Sequence, residues 1–333
     1  MVLVNGKIIN LMQSKILPIA GDASFRKFYR LIKNNKSKII VLSNKEKYKN
    51  LIAYTSVNKF LRSNRIYAPK LYKYNFKKGI IVIEDFGDLS FYKLLVKKKN
   101  KLVIYKKIVD LLLKIQKIKP KIRIKNIGKG SHIIKKYSNK FLHNETDLFF
   151  NWFLPFFLKK KRCLNIKKKT KNILTKLYNK LNFPNSYLVH RYYHAQKLMK
   201  FGNKIGVIDS QDALIGNPAY DLVSLIDDVR IKTPEKLKKQ IYSYYLKRAF
   251  KNHRIYNDKF LADFNILSVQ RNLKIIGIFS RLYTRDKKGQ YLKYIPYAWK
   301  LLEKRMEGEM FLDLKRILNK NVPTKIRKKI IKQ

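Results

Sequence analysis

Between Tyr187 and Asp209 the chain changes character twice, and this stretch narrows its possible folds more than any other. Tyr187-Leu188-Val189 is a short apolar run suited to a strand. A ring-rich polar loop follows, His190-Arg191-Tyr192-Tyr193-His194-Ala195-Gln196-Lys197. Leu198-Met199-Lys200-Phe201 and Ile205-Gly206-Val207-Ile208 then flank Gly202-Asn203, the pattern of a hairpin. Asp209 stands directly after it. Turn chemistry explains a carboxylate there poorly. A place at the end of an apolar strand lets it face a cleft.

The flanks of this segment differ from each other. Upstream, Phe25, Phe28, Tyr29 and Leu31 lie in one strand-like run and Ile39-Ile40-Val41-Leu42 in the next. Leu51, Tyr54, Val57, Phe60 and Leu61 give helical spacing over 47–63. Leu71-Tyr72 and Ile80-Ile81-Val82-Ile83 complete a small sheet, and Glu84-Asp85-Phe86-Gly87-Asp88 reads as a connector with a glycine turn. Beyond residue 89 the spacing predicts helices at 89–97, 101–118, 145–158, 166–181, 219–230, 234–250, 258–284 and 290–305. The expected class is α+β: an antiparallel sheet lobe with one helix (1–88), a helical lobe with an embedded hairpin (89–318), and a Lys-rich tail expected to fray (319–333).

Charge is the second constraint. The chain carries 77 Lys and Arg against 21 Asp and Glu, a formal +56. The lysines are spread along the chain, and Ile, Asn and Tyr are abundant while Gly is scarce, as AT-rich coding produces. A dedicated polyanion-binding protein is the rival reading, and nonspecific, salt-sensitive adhesion to polyanions is expected either way. There is no apolar run of the roughly 18 residues a spanning helix needs, and the first 24 residues do not read as a signal peptide. A cytoplasmic monomer is expected. Cys163 is the single cysteine, which excludes an internal disulfide and a cysteine-built zinc site.

Against that charge, the placement of acids is informative. Eight of the 21 fall within 84–88 and 209–228: Glu84, Asp85, Asp88, Asp209, Asp212, Asp221, Asp227 and Asp228. Helix-terminal charge and turns account for Asp85, Asp88, Asp227 and Asp228. Phosphoryl transfer by a kinase uses a loop H-R-D-x-x-x-x-N between a strand and a hairpin. Its Asp accepts the acceptor hydroxyl's proton, its Asn holds Mg²⁺, and a second Asp after the hairpin also holds Mg²⁺. The loop at 190–197 has that position and length, with Asp209 where the second Asp belongs.

The segments GDASFRKFYRL (21–31), VIEDFGD (82–88), HRYYHAQKLM (190–199) and IGVIDSQDALIGNPAYDLVSL (205–225) resemble the aminoglycoside-phosphotransferase superfamily, most closely its bacterial cell-wall amino-sugar kinases. The resemblance spans roughly residues 15–305 and implies a bilobal protein-kinase-like fold. It implies ATP and Mg²⁺ as cofactors and an amino sugar as acceptor. Gly21, Asp22, Ala23 and Ser24 would turn over the ATP phosphates, and Glu84, Asp85 and Phe86 would lie beside adenine. Asp209 would hold the metal, and Asp221 would accept hydrogen bonds from the loop near His190 and Arg191.

Departures from the family are as specific. Tyr192 stands at the base position, where a phenol of pKa about 10 accepts a proton poorly. Lys197 replaces the metal-binding Asn, and an ammonium cannot coordinate a cation. Ser210 replaces a Phe, and Ser43 stands where an acid is usual. The strand lysine that grips ATP phosphates has no clear candidate. The expected function is therefore a small-molecule kinase with reduced or lost activity, the alternative being a non-catalytic nucleotide-binding pseudokinase. His194 and Asp212 are substitute bases of lower standing. Phe149 to Phe157 suits helix packing better than a ligand platform, His132 and His143 suit packing, and Cys163 among lysines could have a lowered pKa.

Overall fold

The computed structural model describes residues 3–4, 7–8, 15–21, 25–43, 48–128, 130–250 and 253–328. They form two compact units, Met1–Lys135 with Leu188–Ile215, and Lys136–Tyr187 with Gly216–Gln333.

The first unit contains the sheet. After a two-stranded ribbon of β1 (Leu3–Val4) and β2 (Lys7–Ile8), the strands β3 (Lys15–Ile19), β4 (Lys27–Lys33), β5 (Lys36–Leu42), β6 (Leu71–Asn75) and β7 (Ile80–Glu84) pair antiparallel in the order β3-β4-β5-β7-β6. In this register Phe28 faces Val41 and Ile39 faces Ile83 across strand pairs. Period-2 alternation therefore gathers Phe28, Ile39, Val41, Ile81 and Ile83 on one face. Helix α1 (Tyr48–Ser63) packs Leu51 and Tyr54 into that face, which makes this unit's core. Gly79 turns β6 into β7 at φ +67, where a Cβ would lie 2.1 Å from the Ser43 carbonyl oxygen, so only glycine fits.

Helices α2 (Phe91–Lys97) and α3 (Lys101–Gln116) follow, with Ser90 capping α2 by accepting from Lys93 N at 3.3 Å. The strands β8 (Arg123–Lys125) and β9 (Ser131–Ile133) form a small ribbon. The later segment adds β10 (Tyr187–Val189), the hairpin β11 (Leu198–Phe201) and β12 (Lys204–Val207), and β13 (Leu214–Gly216). The hairpin turns at Gly202, φ +54, as its sequence predicts.

Helices dominate the second unit: α4 (Asn139–Leu148), α5 (Lys160–Asn179), α6 (Ala219–Ile226), α7 (Glu235–Ala249), α8 (His253–Asp286), α9 (Ile295–Arg305), α10 (Leu312–Asn321) and α11 (Thr324–Lys328). Where one helix is predicted over 145–158, α4 starts earlier, at the Ser138 cap, and passes into a π turn at Phe149–Phe153. Phe149, Phe150 and Phe153 are buried with Trp299, so the aromatic run packs a core. Two buried carboxylates of this unit pair closely with cations, as burial of charge demands. Glu145 meets Lys274 at 2.7 Å, and Asp227 meets Arg305 at 2.9 Å and Lys238 at 3.0 Å. The tail expected to fray is anchored up to α11: Arg327 is buried, donating to Glu303 at 2.7 Å and Asn319 at 2.7 Å. Cys163 is buried too, and burial pushes its thiol pKa up, against the expectation from neighbouring lysines. No helix among the described residues is long and apolar enough to cross a membrane.

Candidate functional site

The sheet face described above does not end in solvent. Ile19, Phe28, Ile39, Val41, Ile83, Phe86, Met199 and Ile208 wall a cavity of about 340 Å³ within the first unit, with Arg26, Arg30, Glu84, Asp85, Asp88, Gln196, Lys197 and Asp209 as its polar lining. A small, largely apolar chamber with a few polar and charged groups in its lining is the usual form of a small-molecule site.

Four backbone or side-chain bonds hold the loop that brings Lys197 here. Tyr193, wholly buried, donates its hydroxyl to Ile108 O at 2.8 Å, and His194 N donates to Tyr192 O at 2.8 Å. Ile208 N donates to Lys197 O at 3.1 Å, and His190 Nε2 donates to Ile208 O at 3.0 Å. Burial outweighs the neighbouring carboxylates and holds the His190 pKa down to about 4, so the ring is neutral and can serve as this fixed donor. Arg191 and Asp209 both adopt left-handed backbone, φ +75 and +69, which costs a non-glycine residue about 1–3 kcal/mol and persists where the surroundings enforce it.

The charges then meet. Asp209 Oδ1 accepts from Arg26 Nη2 at 2.6 Å and from Gln211 Nε2 at 3.2 Å, and Lys197 Nζ lies 2.8 Å from Oδ2. Burial disfavours the carboxylate's charge, but Lys197 and Arg26 more than offset it and hold its pKa far below the usual range. Both cations are themselves sheltered, with side chains 10% and 13% exposed for Arg26 and Lys197. Both carboxylate oxygens are thus engaged by cations, and the neighbouring ligand position is an ammonium. This donor set, as arranged, does not fit Mg²⁺, which needs oxygen ligands in near-octahedral array. No cluster of three metal-ligating side chains occurs among the described residues.

The connector after β7 is fixed as firmly. Arg30 forks onto Asp85 at 2.6 and 3.2 Å and onto Asp88 at 2.8 and 2.9 Å. Asp85 also accepts from Gly87 N at 2.8 Å. Glu84 accepts from Lys70 N at 3.1 Å and pairs with Arg62 at 3.3 Å. Phe86 stacks with Tyr67 at 5.5 Å and meets Phe201 at 5.2 Å. A Cβ on Gly206 would lie 2.5 Å from the Phe86 ring, so that glycine makes room for it.

The structure thus brings Gly21, Glu84, Asp85, Phe86, Lys197 and Asp209 to one cavity. Tyr192, with Arg191 stacked on its ring at 5.6 Å, sits in the same loop without lining it. Asp212 lies 3.6 Å from Arg191, and His194 is buried. Asp22, Ala23 and Ser24 lie outside the described residues. Asp221 belongs to the second unit, wholly buried in the first turn of α6. Besides Arg30, two participants escaped sequence reasoning. Arg26 was one: the cavity-facing positions of β5 are the apolar Ile39 and Val41, and the cation comes from the neighbouring strand's entrance instead. The other was Asn58 on α1, whose Oδ1 accepts from the buried Ser210 hydroxyl at 2.6 Å.

Comparison with known proteins identifies the family and the fold. The family model described as "Phosphotransferase enzyme family" matches residues 15–256. N-acetylmuramate/N-acetylglucosamine kinase of Pseudomonas aeruginosa is 26% identical over 294 residues, 87% of this chain and 83% of that protein. The enzyme of the same name from Neisseria meningitidis is 26% identical over 284 residues, 83% and 81% of the two chains. Among solved structures, choline kinase LicA from Streptococcus pneumoniae superposes with a TM-score of 0.60 at 14% identity, covering 88% of this chain and 95% of its own. Aminoglycoside phosphotransferase APH(2'')-Ib with ADP bound gives 0.60 at 13% identity, covering 90% and 95%. These likenesses identify the protein-kinase-like fold.

Proposed function

Because this chain belongs to the phosphotransferase enzyme family, with a small-molecule kinase fold, we propose that its cavity binds ATP and that its capacity to phosphorylate an amino-sugar hydroxyl is reduced or lost. The observation that carries this reading is Lys197 seated 2.8 Å from Asp209, where an active kinase would need a metal ligand. The amino-sugar class rests on the curated relatives of that name at 26% identity. Bound ATP would supply the phosphoryl group. The apolar walls and Phe86 suit its base, and Arg26 and Lys197, which line the same cavity as Gly21, bring positive charge for its phosphates. Tyr192 holds the position of the hydroxyl-proton acceptor, and lacking that base costs typically ~10²–10⁴-fold in rate. No step is assigned to a metal ion, since the donor set does not fit one.

Transfer of labelled γ-phosphate to N-acetylmuramate, N-acetylglucosamine and an aminoglycoside tests the proposal, with wild type and a Tyr192→Asp/Lys197→Asn variant side by side. Product from the variant at least ~100-fold above wild type is the expected result. Wild-type turnover equal to that of the variant would refute a reduced capacity. Absence of any ATP-induced rise in melting temperature would refute the binding itself.

A further inference from the structure

The two cations on Asp209 define more than a missing ligand. In this family's chemistry a metal ion offsets the charge of the polyphosphate, and a cavity that excludes the metal must offset it otherwise. Arg26 and Lys197 are both largely sheltered and both held on one carboxylate, so two cations line the cavity at Asp209. Arg30, the third cation of the cavity, is committed to Asp85 and Asp88. The facing residues of β5 contribute only hydrocarbon. A divalent ion at Asp209 would have to displace the Lys197 ammonium from Oδ2 and then sit within a few ångströms of it, a like-charge contact that low-dielectric surroundings make costly.

We propose that the cavity takes its nucleotide as the free polyphosphate, not as the magnesium complex, with Lys197 and Arg26 supplying the charge a metal would bring. The proposal rests on the nucleotide-binding reading above and adds its metal dependence. It also reassigns Asp209, which holds the two cations in place and itself repels the phosphates. That sets opposite signs for the same substitution. Replacing a metal ligand weakens nucleotide binding, whereas Asp209→Asn here removes a negative charge from an anion site and tightens it.

Calorimetric titration of ATP and ADP into the full chain decides, run in EDTA and in excess MgCl₂ with wild type, Lys197→Asn and Asp209→Asn. Wild type is expected to bind at least as tightly in EDTA, with magnesium weakening binding by withdrawing free nucleotide. Lys197→Asn is expected to lose roughly ten- to hundredfold in EDTA, the usual worth of a hydrogen bond to a charged group. Asp209→Asn is expected to bind more tightly in EDTA. Thermal melts of each variant confirm that it is folded, and Lys197→Gln repeats the charge removal should the Asn variant unfold. Wild-type binding that requires Mg²⁺, or its abolition by Asp209→Asn, overturns the proposal and leaves the nucleotide reading intact. No binding by folded wild type in either buffer overturns both.

Discussion

Arg30 shows how one side chain can settle a region's conformation. Its guanidinium is 18% exposed and forks onto Asp85, whose side chain is only 3% exposed, and onto Asp88. Removing it strands a buried carboxylate. Arg30→Ala is expected to destabilise the protein by about 3 kcal/mol, the low end for breaking a buried pair. Arg30→Lys is expected to recover only part of that, because an ammonium cannot fork. Urea denaturation measures both, and an Arg30→Ala variant as stable as wild type would contradict the pairing. The acids of this connector were legible in the sequence, but their partner was not. Arg30 is 55 positions from Asp85, and Arg26 is 183 from Asp209. Local spacing carries no signal across such separations. The strand lysine for which the sequence offers no clear candidate has no counterpart in the cavity lining, where Arg30 on β4 and Arg26 just before it are the cations of the sheet.

At the scale of elements, the strand, loop and hairpin of 187–209 were readable because their punctuation is local: an apolar triplet, a polar loop, Gly202-Asn203 and a second apolar run. What the pattern could not give was how tightly the hairpin packs beside the connector. Val207 N donates to Tyr67 O at 2.7 Å and Lys200 N to Leu89 O at 2.8 Å, and Gly206 abuts the Phe86 ring. Gly206→Ala must push that ring toward the cavity. A loss of about 1–3 kcal/mol, the usual cost of overpacking, is expected together with weaker ATP binding. Unchanged affinity and stability would mean that Phe86 yields freely. The second unit was less legible at its irregular points. A π turn, and a terminal helix whose arginine is buried, both depend on long-range packing that overrides composition: a Lys-rich segment reads as tail until Arg327 finds Glu303.

For the whole molecule, the dominant quantity is the formal charge of +56. Acids are few and many of them are held in ion pairs, so most cations repel one another, and self-repulsion opposes the compact state. Raising salt from about 0.01 to about 0.1 M shortens the screening length from about 30 to about 10 Å. The melting temperature is therefore expected to rise across that range. A fall would show that the buried pairs, and not the surface field, govern the response to salt.

The left-handed backbone at Arg191 and Asp209 has a consequence for inheritance. A main-chain conformation is conserved as a whole, by every contact that enforces it, whereas side chains are rewritten codon by codon. Here the contacts that hold the flanking backbone include Tyr193 to Ile108 and His190 to Ile208. None of them involves the side chain of residue 192 or 197. Exchanges at those two sites leave these two hydrogen bonds in place while removing the Lys197–Asp209 pair and the Tyr192 ring beside Arg191, so much of the loop's course can outlast a change in the groups it presents.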